Sequence, residues 1–235
     1  MMKGILYLVP NTLGNPDTSV TIPPAVREII LTVRVFIVEN ARTTRRYLKA
    51  LDREIHIDSL TFHELNQHTP AEEIPEFLSG ARDGLNTAVI SDAGVPGVAD
   101  PGTVIVRMAH EQGIRVVPLT GPSSILLSLM ASGLNGQNFR FLGYLPVKRN
   151  ERVRRIREIE QVVKKTGETQ MFIEAPYRND ALLADLLETC APSTMLCVAA
   201  NITLESEMIR TLPVSGWKRR KPSLHKIPVI FLMGN

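Results

Sequence analysis

Apolar residues along this chain fall into short runs separated by longer amphipathic stretches. The runs at 5–9, 33–38, 87–90 and 115–119 are rich in Val and Ile and apolar at consecutive positions. Strands covered on both faces read this way, whereas half-buried strands alternate. Helix-like stretches lie between them at 24–31, 43–51, 70–82 and 103–112. Strand alternating with helix predicts a largely parallel sheet, because parallel neighbours need a crossover. A second series follows. It has strands at 139–145, 170–174, 195–199 and 229–233, a charge-rich helix at 150–165 and another helix at 181–189. The small, apolar stretch 123–131 reads as a buried helix. The pattern predicts an α/β protein of two α/β domains, 1–120 and 121–235, parting near Gly121. No Gly/Ser-rich linker or low-complexity tract separates the halves. They are therefore expected to pack together and leave a cleft, a favoured ligand position.

The chain has 235 residues, 44% hydrophobic and 22% charged, enough to bury a substantial core. The net charge of +3 permits an anionic partner without demanding one, so any nucleic-acid signal must come from local clustering. Two basic clusters are present, at 148–157 and 218–221. Either is a candidate RNA-backbone contact, although Glu151, Glu158 and Glu160 dilute the first and exposed helices are often charged. No apolar run approaches the roughly 20 residues that span a bilayer. The start, 1–10, is too short for a secretory signal and reads as a first buried strand. Cys190 and Cys197, the only cysteines, form no C-x-x-C. They read as buried thiols rather than a metal site or a disulfide. A cytoplasmic protein with no membrane and no metal is expected.

The most informative segment is the run Ser91-Asp92-Ala93-Gly94-Val95-Pro96-Gly97, continued to Gly102. It follows a strand and precedes a helix, where ligands sit in open α/β sheets. Its glycines let the backbone turn and approach a ligand closely, and Pro96 and Pro101 stiffen it. An ordinary strand-to-helix turn would use the same residues. The run contains no G-x-G-x-x-G, and no G-K-[ST] follows it, which argues against a dinucleotide fingerprint or a phosphate loop. Thr120-Gly121-Pro122-Ser123-Ser124 likewise follows a strand and opens a helix that either serine could cap. Glu174-Ala175-Pro176-Tyr177-Arg178 ends a strand in the second half.

Taken in order, these segments resemble the tetrapyrrole methylase superfamily, and within it the ribosomal-RNA small-subunit methyltransferase I family. The resemblance runs from Leu6 to about Met233. It includes Leu8-Val9-Pro10-Asn11, Glu39-Asn40-Ala41-Arg42 through Arg45, His63-Glu64-Leu65-Asn66, the close match at 91–102, Gly121-Pro122-Ser123 and Glu174-Ala175-Pro176. It implies two α/β domains of a fold that is not Rossmann-like, with S-adenosylmethionine bound between them, and a homodimer. It implies donor contacts from Pro10, Asp92, Ala93, Gly94, Pro96, Gly97, Ser123, Ser124, Ala175 and Pro176. The implied reaction is methylation of a cytidine ribose 2′-oxygen in small-subunit ribosomal RNA. Departures concentrate on the acceptor side. Asn40 stands where the family has Asp, Ala41 where it has Thr and Tyr177 where it has His. The run 199–205 lacks the Arg, Glu and Lys of A-R-E-L-T-K.

A ribose hydroxyl is a poor nucleophile and gains from a base. The acceptor-side candidates are Glu39, Arg42 and His63 for catalysis, with Arg45, Asn66 and Arg178 for substrate binding. His63 reads also as a surface or satisfied structural histidine, the commoner fate of a lone His. Arg42 and Arg45, three apart, would share a helix face and suit phosphate. Two rival readings use the same motifs: methylation of a tetrapyrrole or other small molecule, and a non-catalytic donor-binding protein.

Overall fold

A computed structural model describes residues 3–235. Met1 and Met2, at the head of the segment 1–10, lie outside the described residues. The chain forms two compact units that part between Ser123 and Ser124, just past the turn at Gly121. That turn stays with the first unit for a packing reason. A β-carbon placed on Gly121 would stand 2.2 Å from the Pro10 Cβ, so only glycine lets the two backbones approach this closely.

The first unit is a five-stranded parallel sheet. Its strands are β1 (Ile5–Val9), β2 (Val35–Val38), β3 (Thr61–Glu64), β4 (Thr87–Ile90) and β5 (Arg115–Pro118), in the order β3-β2-β4-β1-β5. Side chains alternate between the faces. Phe36, Val38, Ala88 and Ile90 meet the helices α1 (Pro24–Thr32) and α2 (Ala41–Leu51) on one side. Ile37 and Val89 meet the short α3 (Ser79–Arg82) and α4 (Thr103–Glu111) on the other. Two-sided burial is why β2 and β4 are covered at every position. The chain leaves β1 and β2 toward one face and β4 toward the other. Crevices therefore open at the carboxyl ends where β4 meets β2 and β1, the ligand position of such sheets.

The helix expected over 70–82 is interrupted. Ile74–Leu78 forms a 3-10 turn that passes directly into α3. Pro75 carries no N–H to donate within the helix, and its ring crowds the preceding turn. β3 was not anticipated as a strand. It is an edge strand with exposed Thr61 and Glu64, so it lacks a run of consecutive apolar residues.

The second unit is a five-stranded mixed sheet. It contains β6 (Phe139–Tyr144), β7 (Thr169–Ile173), β8 (Met195–Ala200), β9 (Met208–Pro213) and β10 (Val229–Gly234), ordered β6-β7-β10-β8-β9. β6 runs parallel to β7, and the remaining neighbours are antiparallel. α6 (Arg149–Thr166), α7 (Asn179–Thr189) and α8 (Val214–Arg219) share a core with Phe172, Val198 and Phe231. β9 and α8 were not anticipated. α8 is fixed by Trp217, which is fully buried and donates Nε1–H to the Leu196 carbonyl at 2.8 Å. α5 (Ser124–Ser132) packs against β8, β9 and β10. It is not the buried helix its composition suggested. Ser128, Leu129 and Ser132 are covered, whereas Leu126 is 52% and Met130 77% exposed.

The basic cluster at 148–157 is largely neutralised within this unit. Arg152, on α6, lies buried against Asp185 of α7 at 2.6 Å. Arg149 reaches Asp185 at 2.9 Å and Glu188 at 2.6 Å, and Arg155 reaches Glu158 at 3.1 Å. Lys148 and Arg154 have acidic partners at 3.7 Å. Arg149 and Arg152 clamp α6 to α7, while Arg154 and Arg155 are offset by Glu158 on α6 itself. Replacing Asp185 by Ala would leave the Arg152 charge buried and unpaired. The expected loss is about 3–5 kcal/mol. Denaturation followed through Trp217, the single tryptophan, reads this unit directly.

Candidate functional site

The loops at the carboxyl ends of β1, β2 and β4 are bound together by a small polar network. The Glu39 Oε1, just after β2, accepts the Ser91 hydroxyl at 2.8 Å and the Asp92 N–H at 3.0 Å. From the end of β1, the Asn11 carboxamide donates to the carbonyls of Ser91 at 3.1 Å and Asp92 at 3.0 Å. Its oxygen accepts the Thr12 N–H at 2.8 Å. The backbone closes the link, with the Asn11 N–H donating to the Gly94 carbonyl at 2.8 Å. A β-carbon on Gly94 would meet Leu13 Cδ2 at 3.2 Å and the Pro122 carbonyl oxygen at 3.4 Å, and its φ is +71°. Tyr47 of α2 donates to the Pro10 carbonyl at 2.7 Å. Burial pushes its hydroxyl pKa far up, so it stays a neutral donor. Pro10, the Asp92 loop and the Gly121–Pro122 turn are thus neighbours by close contact within the first unit.

The two acids of the 91–102 loop have different duties. The Asp100 carboxylate accepts the N–H of Gly97 at 2.8 Å and of Gly102 at 2.7 Å, closing the loop on itself. Burial raises its pKa, and those two N–H groups oppose the rise. The Asp92 side chain has no hydrogen-bond or ion-pair partner among the described residues and faces solvent. Burial raises its carboxyl pKa, and the nearby Glu39 charge raises it further. Two carboxylates side by side create a site that favours a cation.

Asp92 stands between two open hollows. One, about 330 Å³, is lined by Asn11, Thr12, Gly14, Thr43, Arg46 and Tyr47 among others. The other, about 540 Å³, is lined by Glu39, Asn40, Asn66, Gln67, His68 and Pro101. Both volumes fall within the roughly 300–1,000 Å³ common for ligand sites. Asn11, Arg46, Tyr47 and His68 were not singled out from the sequence. The Asn66 side chain accepts the His68 N–H at 2.9 Å; an Asn two residues before a His is the one available signal for this turn.

The acceptor-side candidates divide. Glu39 holds the Asp92 loop, so its carboxylate acts as a positioning group. His63 is not among the residues lining either hollow. It faces the α3 side of the sheet, its ring stacked on Phe77 with centroids 4.8 Å apart. Burial lowers its pKa, so the ring is neutral at pH 7. That packing holds the ring on this face of the sheet. Asn66 lines the larger hollow. Arg42 is exposed on α2 with no ion pair among the described residues, and Arg45 lies 5.1 Å over the Phe62 ring. Asn40 caps α2 by accepting the Thr43 N–H at 3.1 Å. Asn and Asp serve equally at that position, which explains why this departure is tolerated.

In the second unit, Ala175 and Pro176 form the turn after β7. Buried Glu174 accepts the Ala175 N–H at 2.7 Å and the Arg178 guanidinium at 2.6 Å. Arg178, expected as a substrate contact, is thereby engaged, and Glu174 raises its pKa further. Ser123 closes the first unit and Ser124 begins α5. Both cysteines are free and buried, and burial pushes the Cys190 thiol up to about 12. Among the described residues no group of three or more His, Cys, Asp or Glu has a metal-holding arrangement. No helix there is long and apolar enough to cross a membrane.

The family model of tetrapyrrole (corrin/porphyrin) methylases matches residues 6–215. The chain belongs to this family. It is accordingly a methyltransferase, and the family's methyl donor is S-adenosylmethionine. The chain is 31% identical over 211 residues to the ribosomal RNA small subunit methyltransferase I of Vibrio cholerae, covering 90% of this chain and 69% of the relative. It is 32% identical over 215 residues to the protein of that name from Pseudomonas aeruginosa, covering 92% and 72%. Among solved structures, the methyltransferase CobJ superposes with a TM-score of 0.65 at 17% identity, covering 99% of this chain and 94% of that one. That likeness concerns the fold.

The raised Asp92 pKa carries a sign. Its protonated form is favoured in the folded state, so its stability contribution is fully present below the ordinary value of 3.8 and is lost as pH rises through the higher folded value. At pH 7 the ionised side chain is therefore a cost to the fold. Asp92→Asn is expected to leave thermal stability at pH 7 unchanged or raised, while S-adenosylmethionine affinity by calorimetry falls about tenfold or more, about 1.4 kcal/mol.

Proposed function

We propose that this methyltransferase modifies small-subunit ribosomal RNA at the ribose 2′-oxygen of a cytidine. The observation that carries the reading is the similarity over 90% of the chain to a relative named for that RNA. The site chemistry agrees with a sulfonium donor. A free Asp92 carboxylate beside Glu39 offers an anionic, glycine-lined hollow to a compact cation. We assign donor contacts to Pro10, Asp92, Ala93, Gly94, Pro96, Gly97, Ser123 and Ser124, with Ala175 and Pro176 carried over from the family pattern.

S-adenosylmethionine, when bound, supplies an activated methyl group whose transfer leaves a neutral thioether. The chain's own residues orient and exclude water. Glu39 and Asn11 fix the Asp92 loop from two sides, so Asp92 meets the donor without reorganising. Asn66 and His68, on the far side of Asp92, border the hollow assigned to the acceptor. There the ribose oxygen would form its bond to the methyl carbon as the carbon–sulfur bond breaks, and its proton would pass to solvent water. Arg42 and Arg45 of α2 are assigned to the RNA backbone. A ribosomal substrate places the protein in the cytoplasm.

We also infer a homodimer. Leu126 and Met130 on α5 are exposed apolar side chains that association would cover. Sedimentation is expected to show a dimer for the native chain and a monomer for Leu126→Glu combined with Met130→Glu.

The decisive assay supplies methyl-labelled donor with small ribosomal subunits and, separately, with a reduced tetrapyrrole. Label is expected in the RNA, in a dinucleotide that resists alkaline cleavage because the 2′-oxygen is blocked. Label in the tetrapyrrole alone would sink the reading.

A further inference from the structure

The cluster at 218–221 has the opposite fate from the one on α6. Val214 and Trp217 point into the core, so α8 is held by its inner face and its end emerges at the surface. Arg220 caps it, its N–H donating to the Trp217 carbonyl at 3.1 Å, and Pro222 prevents the helix continuing. Lys218, Arg219, Arg220 and Lys221 are all exposed, as are His225 and Lys226. None has an ion-pair partner among the described residues. Asp180 meets this segment by accepting the backbone N–H of Leu224 at 2.8 Å rather than a side-chain cation.

The segment is tied to the turn after β7. The Lys226 N–H donates to the Pro176 carbonyl at 3.0 Å, and Asn179 Nδ2 donates to the Ile227 carbonyl at 2.7 Å. Next to Pro176 stands Tyr177, 62% exposed, with Arg178 against its ring at 5.0 Å. Tyr144, 63% exposed, is near enough to interact electrostatically with Arg178. Exposed aromatic rings beside unpaired cations are what single-stranded RNA uses: bases stack on the rings and phosphates follow the charge.

We propose that the 218–226 segment and the Tyr177 ring together form the RNA-docking face of the second unit, with cations on the phosphates and Tyr177 under a base. This rests on the ribosomal-RNA reading above. It assigns the backbone contact to 218–226 and not to α6, where Arg149, Arg152, Arg154 and Arg155 have carboxylate partners. It also gives the Tyr in place of the family's His a use, as the larger stacking platform.

The test measures binding of the full chain to a labelled single-stranded RNA of small-subunit sequence across a salt series. Substituting Lys218, Arg219, Arg220 and Lys221 together by Ala is expected to lower affinity tenfold or more near 0.1 M salt. Each lost phosphate contact should flatten the log–log salt slope by about 0.7. Tyr177→Ala should weaken binding roughly fivefold or more, and Tyr177→Phe, which keeps the ring, should restore it. Arg154, Arg155 and Arg157 changed together to Ala should stay within twofold of the native chain. Donor affinity and Trp217 fluorescence check folding, and Arg219→Ala with Arg220→Ala replaces the fourfold variant if that one does not fold. Native-like RNA affinity in the 218–221 variants overturns the proposal while RNA methylation stands. If the native chain neither binds nor methylates RNA, the ribosomal reading fails and the docking face with it.

Discussion

One carboxylate and one carboxamide organise the first unit. Glu39 and Asn11 approach the Asp92 loop from the ends of β2 and β1, which flank β4 in the sheet. Glu39 can accept only, so it takes the Ser91 hydroxyl and the Asp92 N–H. Asn11 donates twice, so it takes the two carbonyls. The Ser91 hydroxyl and carbonyl and the backbone N–H and carbonyl of Asp92 are thereby satisfied by partners from neighbouring strands. A glycine-rich loop would otherwise lose much conformational entropy on ordering. With the backbone so fixed, the side chain of Asp92 needs no partner of its own and is left available for a ligand.

The fixed loop explains the unequal treatment of acids in the same short segment. Asp100 is structural because its carboxylate closes the loop onto Gly97 and Gly102. Asp92 is chemically available and energetically uncomfortable. Its raised pKa follows from partial burial and from a like charge in Glu39, the condition that a cationic ligand relieves. Stability has been traded for a site at one residue while Asp100 closes the rest of the loop onto Gly97 and Gly102.

Much of the first unit was legible in its residues. β1, β2 and β4 lie inside the sheet, and the cover on their two faces leaves consecutive apolar positions as a mark; the edge strand β5 was read from Val116 and Val117. β3 was not, since an edge strand with Thr61 and Glu64 exposed looks like a loop. β9 and α8 were hidden similarly, because half-buried positions such as Ile209 and Leu212 alternate with polar ones and α8 is anchored mainly by Val214 and Trp217. In the site, the Gly/Pro loop could be read because backbone demands restrict residue type. The duties of Glu39 and His63 could not, because they depend on which neighbour the fold supplies: Ser91 and Asp92 for one, the Phe77 ring for the other.

The two basic clusters make the same point about charge. In the linear chain the one on α6 is the longer and the one at 218–221 the denser. What separates them is the position of acids distant in sequence. Asp185 and Glu188 lie on α7, which packs against α6 and returns carboxylates to Arg149 and Arg152. Among the described residues no acid forms an ion pair with 218–221, because α8 buries Val214 and Trp217 and turns the succeeding residues outward. A buried pair such as Arg152–Asp185 is weak as a source of net stability but severe when broken, so it fixes which surface stays cationic. Available charge is a property of packing, and it is the α6–α7 contact that leaves the 218–226 segment as the cationic edge of this unit.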